Sequence, residues 1–250
     1  MNPKLIFLTL ATPIFASTIY TDGTFTESNW QTLVLAQTGT MTQSVAQAPT
    51  DGNPGNYVRA TFSAPASAAG QSIGTANVGR YRNDFSWNPS VDGPLGALKF
   101  SMDVKNFTKT GLSNDVSLLW RPFLIQDGLA FSVNSSSLSV ATGTGFTTLN
   151  WDFTTASDWV GFININQRPD FSASGSTMVF GYRVQIPNLG CPAQANSCTA
   201  PSIVDGMDNY RAELTAAEQT SGIPEPSTWA LGLAGLAALA IKRSQLPKYF

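Results

Sequence analysis

Residues 97–107, "ALKFSMDVKNF", put Leu98, Phe100, Met102 and Val104 at every second position. Strand side chains alternate between two faces, so this spacing predicts a β-strand with one apolar face on a core and one polar face in water. The stretch "VFGYRVQI" (179–186) repeats the pattern with Phe180, Tyr182, Val184 and Ile186. Working outward from these two, strands are expected at 57–64 ("YVRATFSA"), 115–125 ("DVSLLWRPFLI"), 129–134 ("LAFSVN"), 147–154 ("TTLNWDFT") and 210–214 ("YRAEL"). Asp127-Gly128 lies between two of them and reads as a tight hairpin turn. Residues 86–96, "SWNPSVDGPLG", hold so many breakers that a long surface loop is expected there. Few helical periods interrupt this order. The fold class read from it is all-β: a single jelly-roll-like β-sandwich over residues 17–215, with its first and last strands adjacent.

A chain of 250 residues has room for one such domain plus processing segments. Charged residues make up 12% and the formal net charge is −2, so there is no basic footprint for nucleic acid. The absence of histidine removes the imidazole general base, the imidazole zinc ligand and every His-dependent triad. Glycoside hydrolysis by two opposed carboxyl groups remains open to Asp103, Asp115, Asp152, Asp158 and Asp170. Most of these fall beside turns or strand ends, where a solvated carboxylate is the ordinary reading. No Gly-X-Ser-X-Gly elbow, phosphate loop or dinucleotide motif is present, and a non-enzyme is expected. Cys191 and Cys198, in "CPAQANSC", suit neither a zinc site nor a CxxC pair. They read as a small loop disulfide of an oxidising compartment, or as two free thiols.

Both ends look like address labels. Lys4, an apolar stretch from Leu5 to Ile14 and the small residues Ala16 and Ser17 follow the order of a signal peptide, placing a signal helix at 1–16. A buried N-terminal strand or helix is the other reading. At the far end, residues 216–223 are small and polar, as a flexible linker would be. Then come Pro224-Glu225-Pro226, an apolar run over 229–241, the basic pair Lys242 and Arg243, and a short tail at 244–250. The run is shorter than the roughly 17–25 residues of a full membrane span. Its basic flank would hold that end on the cytoplasmic side. A short C-terminal hydrophobic helix, inserted transiently in a membrane, is expected; an ordinary core helix would carry a polar face, which 229–241 lacks.

Pro224, Glu225 and Pro226, the following Ser-Thr-Trp, the Ala/Leu/Gly run and Lys242-Arg243 closely resemble the PEP-CTERM sorting signal of bacterial surface proteins, here over 224–243. The resemblance implies processing by an exosortase-type membrane transpeptidase, and export through the inner membrane to the cell surface or beyond. Residues 85–107, 154–163, 168–184 and 206–214 more loosely resemble secreted bacterial β-sandwich proteins of the concanavalin- or galactose-binding-like kind, many without assigned activity.

Jelly-roll carbohydrate-binding modules commonly hold calcium where first and last strands meet, which nominates Asp22, Glu27, Asp205 and Asp208 as oxygen ligands of a structural calcium. Asp22-Gly23 and Asp205-Gly206 read equally as turn formers. Trp30, Trp87, Trp120, Trp151 and Trp159 are candidates for stacking on a pyranose or for core packing. Trp87, beside Asn88 and Asp92 in the breaker-rich stretch, is the one expected to face a sugar. The function expected is non-catalytic binding of extracellular polysaccharide. The alternatives are a self-associating envelope or biofilm component, and a glycoside hydrolase or lyase.

Overall fold

Alternation of buried and exposed positions organises nearly every element of the computed structural model, which describes residues 17–68, 70, 72–111, 118–133, 145–190, 197–198 and 200–218. In chain order these form β1 (Ser17–Asp22), β2 (Gln31–Gln37), β3 (Thr42–Gly52), β4 (Gly55–Ser63), β5 (Ser67–Ala68), β6 (Ser72–Trp87), α1 (Pro89–Asp92), β7 (Leu95–Thr110), β8 (Leu119–Gln126), β9 (Leu129–Val133), β10 (Thr147–Phe153), β11 (Trp159–Gly161), β12 (Met178–Gly190), β13 (Ser197–Cys198) and β14 (Ser202–Ala216). Of the described residues 66% are strand and 6% helix, an all-β composition.

Two antiparallel sheets make a sandwich. The front sheet runs β10-β7-β14-β4-β3, with β1 paired to β14; the back sheet runs β11-β9-β8-β12-β6-β2, and β5 pairs with β13 apart from both. First and last long strands are therefore neighbours, Ser17 facing Thr215 and Asp22 facing Tyr210. Leu98, Phe100, Met102 and Val104 of β7 meet Phe180, Tyr182, Val184 and Ile186 of β12 within one core that also holds Trp30, Phe85, Trp120, Trp159 and Tyr210. Truncating any one of these large rings costs about 3–5 kcal/mol. Polar ties cross the same space: Trp120 Nε1 donates to Asp205 Oδ2 at 3.3 Å, and the Tyr210 hydroxyl to the Gly181 carbonyl at 3.2 Å.

The Asp127-Gly128 turn joins β8 to β9, with both residues at positive φ (53° and 72°) and Gln126 facing Leu129. Those two left-handed residues match the twist of the flanking strands. The stretch at 86–96 differs from the expected loop. Ser86 and Trp87 finish β6, Pro89–Asp92 form one helical turn, and Leu95 begins β7. The breakers there act as caps: Asn88 Oδ1 accepts from Ser90 N (3.2 Å), and Asp92 Oδ2 accepts from Asn88 N (2.7 Å).

The expected signal peptide (1–16), linker residues 219–223, the sorting segment with Pro224, Glu225, Pro226, Lys242 and Arg243, and the tail lie outside the described residues. So do Cys191 and the side chain of Cys198. Among the described residues no helix is long and apolar enough to cross a membrane.

Candidate functional site

Three neighbouring strands of the front sheet turn their polar positions outward. On β7, Leu98 and Phe100 point into the core, so the pleat sends Lys99 and Ser101 out; on β10, Leu149 and Trp151 do the same for Asn150 and Asp152. Strand β14 needs one extra device. Asp205 and Met207 face inward before residue 209, while Tyr210, Ala212 and Leu214 face inward after it. The change of parity is a bulge between Asp208 and Arg211, where Asn209 takes φ 50°. An extra residue of this kind re-aims the strand. Without it Arg211 and Glu213 would enter the core.

The registers then build two rows. Asn150 faces Ser101, which faces Arg211; Asp152 faces Lys99, which faces Glu213. These six residues line a cavity of about 320 Å³, floored by Phe100 and Trp151. Each row spans two inter-strand gaps, roughly 10 Å. Beyond β14 the rows continue onto β1, with Thr21 facing Arg211 and Ile19, 50% exposed, facing Glu213. Arg211 Nη2 lies 2.7 Å from Glu213 Oε2, and Lys99 Nζ 4.0 Å from Asp152 Oδ2, so the groove's two positive and two negative charges cancel. Such exposed pairs contribute at most about 1 kcal/mol to stability. Their side chains remain available to a ligand.

On the same face, next to the groove, Asp103 faces Asp208. Thr148 Oγ1 donates to Asp103 Oδ1 (2.5 Å), and the Asn53 and Asn209 amides donate to its Oδ2 (3.2 and 2.9 Å). Backbone N–H groups of Asn53 and Asn209 hold the Asp208 carboxyl. Burial raises the Asp208 pKa above its ordinary value, the two N–H groups pull against that, and the charges of Asp103 and Asp22 add to the rise. Farther along, Tyr57 and Phe107 stand with ring centroids 5.2 Å apart over Gly206, and Lys105 Nζ sits 4.8 Å above the Phe107 ring. A Cβ on Gly206 would come within 2.5 Å of Phe107 and 2.7 Å of Tyr57, so the glycine makes room for both rings.

The four carboxylates expected to bind calcium are not assembled. Asp22 accepts from Thr24 N, Phe25 N, Trp30 Nε1 and Arg82 Nη1, which occupies both its oxygens. Glu27 is held by Arg80, at 2.6 Å. Asp205 faces the opposite side of its strand, toward Trp120, and burial pushes its pKa up to about 7. Among the described residues no group of three or more His, Cys, Asp or Glu is placed to hold a metal.

Nor does Trp87 offer a face to sugar. It is 1% exposed and its indole N–H donates to the Gly93 carbonyl at 2.9 Å, while Asn88 and Asp92 cap α1. Trp30, Trp120, Trp151 and Trp159 are buried as well. Of the carboxylates named for hydrolysis, Asp152 lines the groove, Asp103 lies among the amides beside it, Asp158 and Asp170 accept from the backbone N–H groups of Thr155 and Ser172, and Asp115 is outside the described residues. Sequence reasoning missed Lys99, Ser101, Asn150, Arg211 and Glu213. Their only signal was occupancy of the polar positions in the strands expected at 97–107, 147–154 and 210–214.

No protein-family model matches the chain, and no curated protein matches it. Solved structures similar to it include a family 11 carbohydrate-binding module from Clostridium thermocellum in complex with a β-1,3-1,4-mixed-linked tetrasaccharide, at TM-score 0.44 and 12% identity over 80% of this chain and 96% of that one. The family 11 module of a cellulosomal cellulase of Clostridium thermocellum aligns at TM-score 0.40 and 13% identity, over 82% and 99%. The enzymatically active domain of tailspike protein 4 of bacteriophage CBA120 aligns at TM-score 0.36 and 16% identity, over 77% of this chain and 20% of that one.

Proposed function

We propose that the chain is an exported cell-surface or extracellular protein that binds polysaccharide without cleaving it, through the outward face of its front sheet. The observation that carries this reading is the pair of in-register rows, Asn150–Ser101–Arg211 and Asp152–Lys99–Glu213. They offer donors and acceptors side by side with no net charge, over a length of several ångströms and on rigid strands. Sugar hydroxyls both donate and accept, so such a surface suits a neutral glycan better than a charged polymer. Cleavage would need two carboxyl groups facing each other across a glycosidic bond. In the groove Asp152 and Glu213 are separated in register by Lys99, which lies 4.0 Å from Asp152, and Glu213 is paired with Arg211, so neither carboxyl stands free opposite the other. Export, and processing of the 224–243 segment by an exosortase-type transpeptidase, rest on the sequence of the two ends.

A glycan array probed with the full-length protein, followed by titration calorimetry on the hits, tests the reading. Neutral polysaccharides are expected to bind, with affinity nearly the same at 0.15 M and 1 M NaCl because no net charge is screened. Arg211→Ala removes a charged donor and is expected to weaken binding roughly tenfold. Equal binding by that variant would place the glycan elsewhere. A blank array together with concentration-dependent sedimentation would favour a self-associating envelope component.

A further inference from the structure

On the opposite side of the molecule, the outward face of the back sheet carries an arrangement the front groove does not use. Arg183 of β12 lies directly opposite Arg121 of β8. Arg183 is 6% exposed, and its guanidinium carbon sits 4.6 Å from the centre of the Phe162 ring. Its Nε donates to Asn77 Oδ1 at 2.7 Å and its Nη2 to Gln185 Oε1. Arg121 is half-buried, and its Nε is shielded from solvent with no hydrogen-bond partner. From the flanking strand β6, Gly79 faces Arg183, and the next positions on the same face among the described residues are Asn77, Gln185, Leu119 and Phe123; none is acidic. Among the described residues neither arginine makes an ion pair.

Two like charges opposite each other on neighbouring strands repel, and partial burial removes the water that would screen them. Burial, and then the Arg121 charge, lower the Arg183 pKa to about 9; burial alone lowers that of Arg121. Both remain cations at neutral pH. Neutral amides and one aromatic face fix Arg183 in place without neutralising it, while among the described residues no acceptor is placed on its Nη1 or on the donors of Arg121. A planar anion with two oxygens complements paired guanidiniums, since Arg forks bind carboxylates through parallel charge-assisted hydrogen bonds.

We propose that Arg121 and Arg183 form a binding site for a carboxylate group, separate from the neutral-glycan groove on the other sheet. Its natural source is either an acidic sugar of an extracellular polymer or a free small carboxylic acid. The site stands whether or not the front groove binds sugar.

Calorimetric titration of the full-length protein at fixed ionic strength tests it with trigalacturonate, acetate and inorganic phosphate. Trigalacturonate binding with acetate inert assigns the acidic sugar, and binding of both at similar affinity assigns a simple carboxylate. In either case Arg121→Gln is expected to weaken binding roughly tenfold or more and to leave neutral-glycan affinity unchanged. Without ligand, the variant should melt no lower than the parent, because the repulsion is gone. Arg121→Lys, which keeps the charge and loses the fork, serves as a second variant should Arg121→Gln misfold, and should also bind more weakly. Unchanged affinity in both variants, preference for phosphate over either carboxylate, or no binding of any probe would overturn the assignment.

Discussion

Asp205→Asn is expected to stabilise the protein at pH 7, by up to roughly 4 kcal/mol, and to flatten its stability between pH 4 and 7. Asp205 is 3% exposed and lies between the sheets; one oxygen accepts from the Trp120 indole and the other has no hydrogen-bond partner among the described residues. Burial therefore favours the protonated form and pushes the pKa to about 7, against a weaker downward pull from the Trp120 hydrogen bond and Lys109. In the unfolded chain the same group loses its proton near pH 4. Between the two values the unfolded state binds fewer protons than the folded one, so stability falls as pH rises. Asparagine has nearly the shape of the protonated acid, keeps an acceptor for Trp120, and cannot ionise. Asp22 acts in the opposite direction: burial pulls its pKa up, but donors from Phe25, Trp30, Thr24 and Arg82 outweigh it and hold the value below normal. Its contribution is present above pH 4 and lost as pH falls. Urea denaturation from pH 3 to 8 should show an acid limb common to both proteins and a decline toward pH 7 that is much steeper in the parent, the variant keeping only the part that Asp208, whose pKa is also raised, contributes. A variant that is less stable at pH 7, or keeps the same decline, would place the titration elsewhere.

The fold was legible where one side of a strand is apolar. Leu98 to Val104 alternate with Lys99, Ser101 and Asp103, and Phe180 to Ile186 with Gly181, Arg183 and Gln185, none of them a large apolar residue, and the sandwich follows from such strands. Strand β2, by contrast, is an edge strand exposed along nearly its whole length, and β3 is polar and only partly covered. Neither shows the pattern of a half-buried strand, so neither was read. The misreading of Trp87 has a different cause. Asn88, Pro89, Asp92 and Gly93 are breakers by residue type, but their side chains and carbonyls replace the missing backbone partners locally and pull the indole inward. The groove was the least legible feature, because it depends on two registers among three strands far apart in sequence. It depends also on the Asn209 bulge, which no local spacing announces. The Arg121–Arg183 pair is hidden for the same reason: its members are 62 positions apart by residue number and meet only through β8–β12 pairing.

Gly181→Ala is expected to be the most damaging single change, costing about 4 kcal/mol or more and lowering the melting temperature by roughly 8–16 °C. A Cβ at Gly181 would lie 1.8 Å from the Arg80 carbonyl oxygen and 2.6 Å from the Tyr81 Cα, both backbone atoms of the paired strand β6. A side chain in the way could rotate aside; a backbone in a sheet must move as a unit. Strand β6 has little freedom to do so. Arg80 is fully buried beneath it and spans the sandwich, its Nη1 donating to the Val45 carbonyl at 2.9 Å and its Nη2 to Glu27 at 2.6 Å. The Gly181 carbonyl is itself held by the Tyr210 hydroxyl from the front sheet. Relief of the clash would therefore either break this cross-sheet tie or separate β6 from β12, and either route exposes the aromatic core. Gly128→Ala is the matched control, since nothing lies within 4 Å of its Cβ position and only its positive φ of 72° opposes the change, at a cost of about 1–2 kcal/mol. Equal melting temperatures for the two variants would mean that β6 yields to the added methyl, and that Arg80 does not lock the sheets in register.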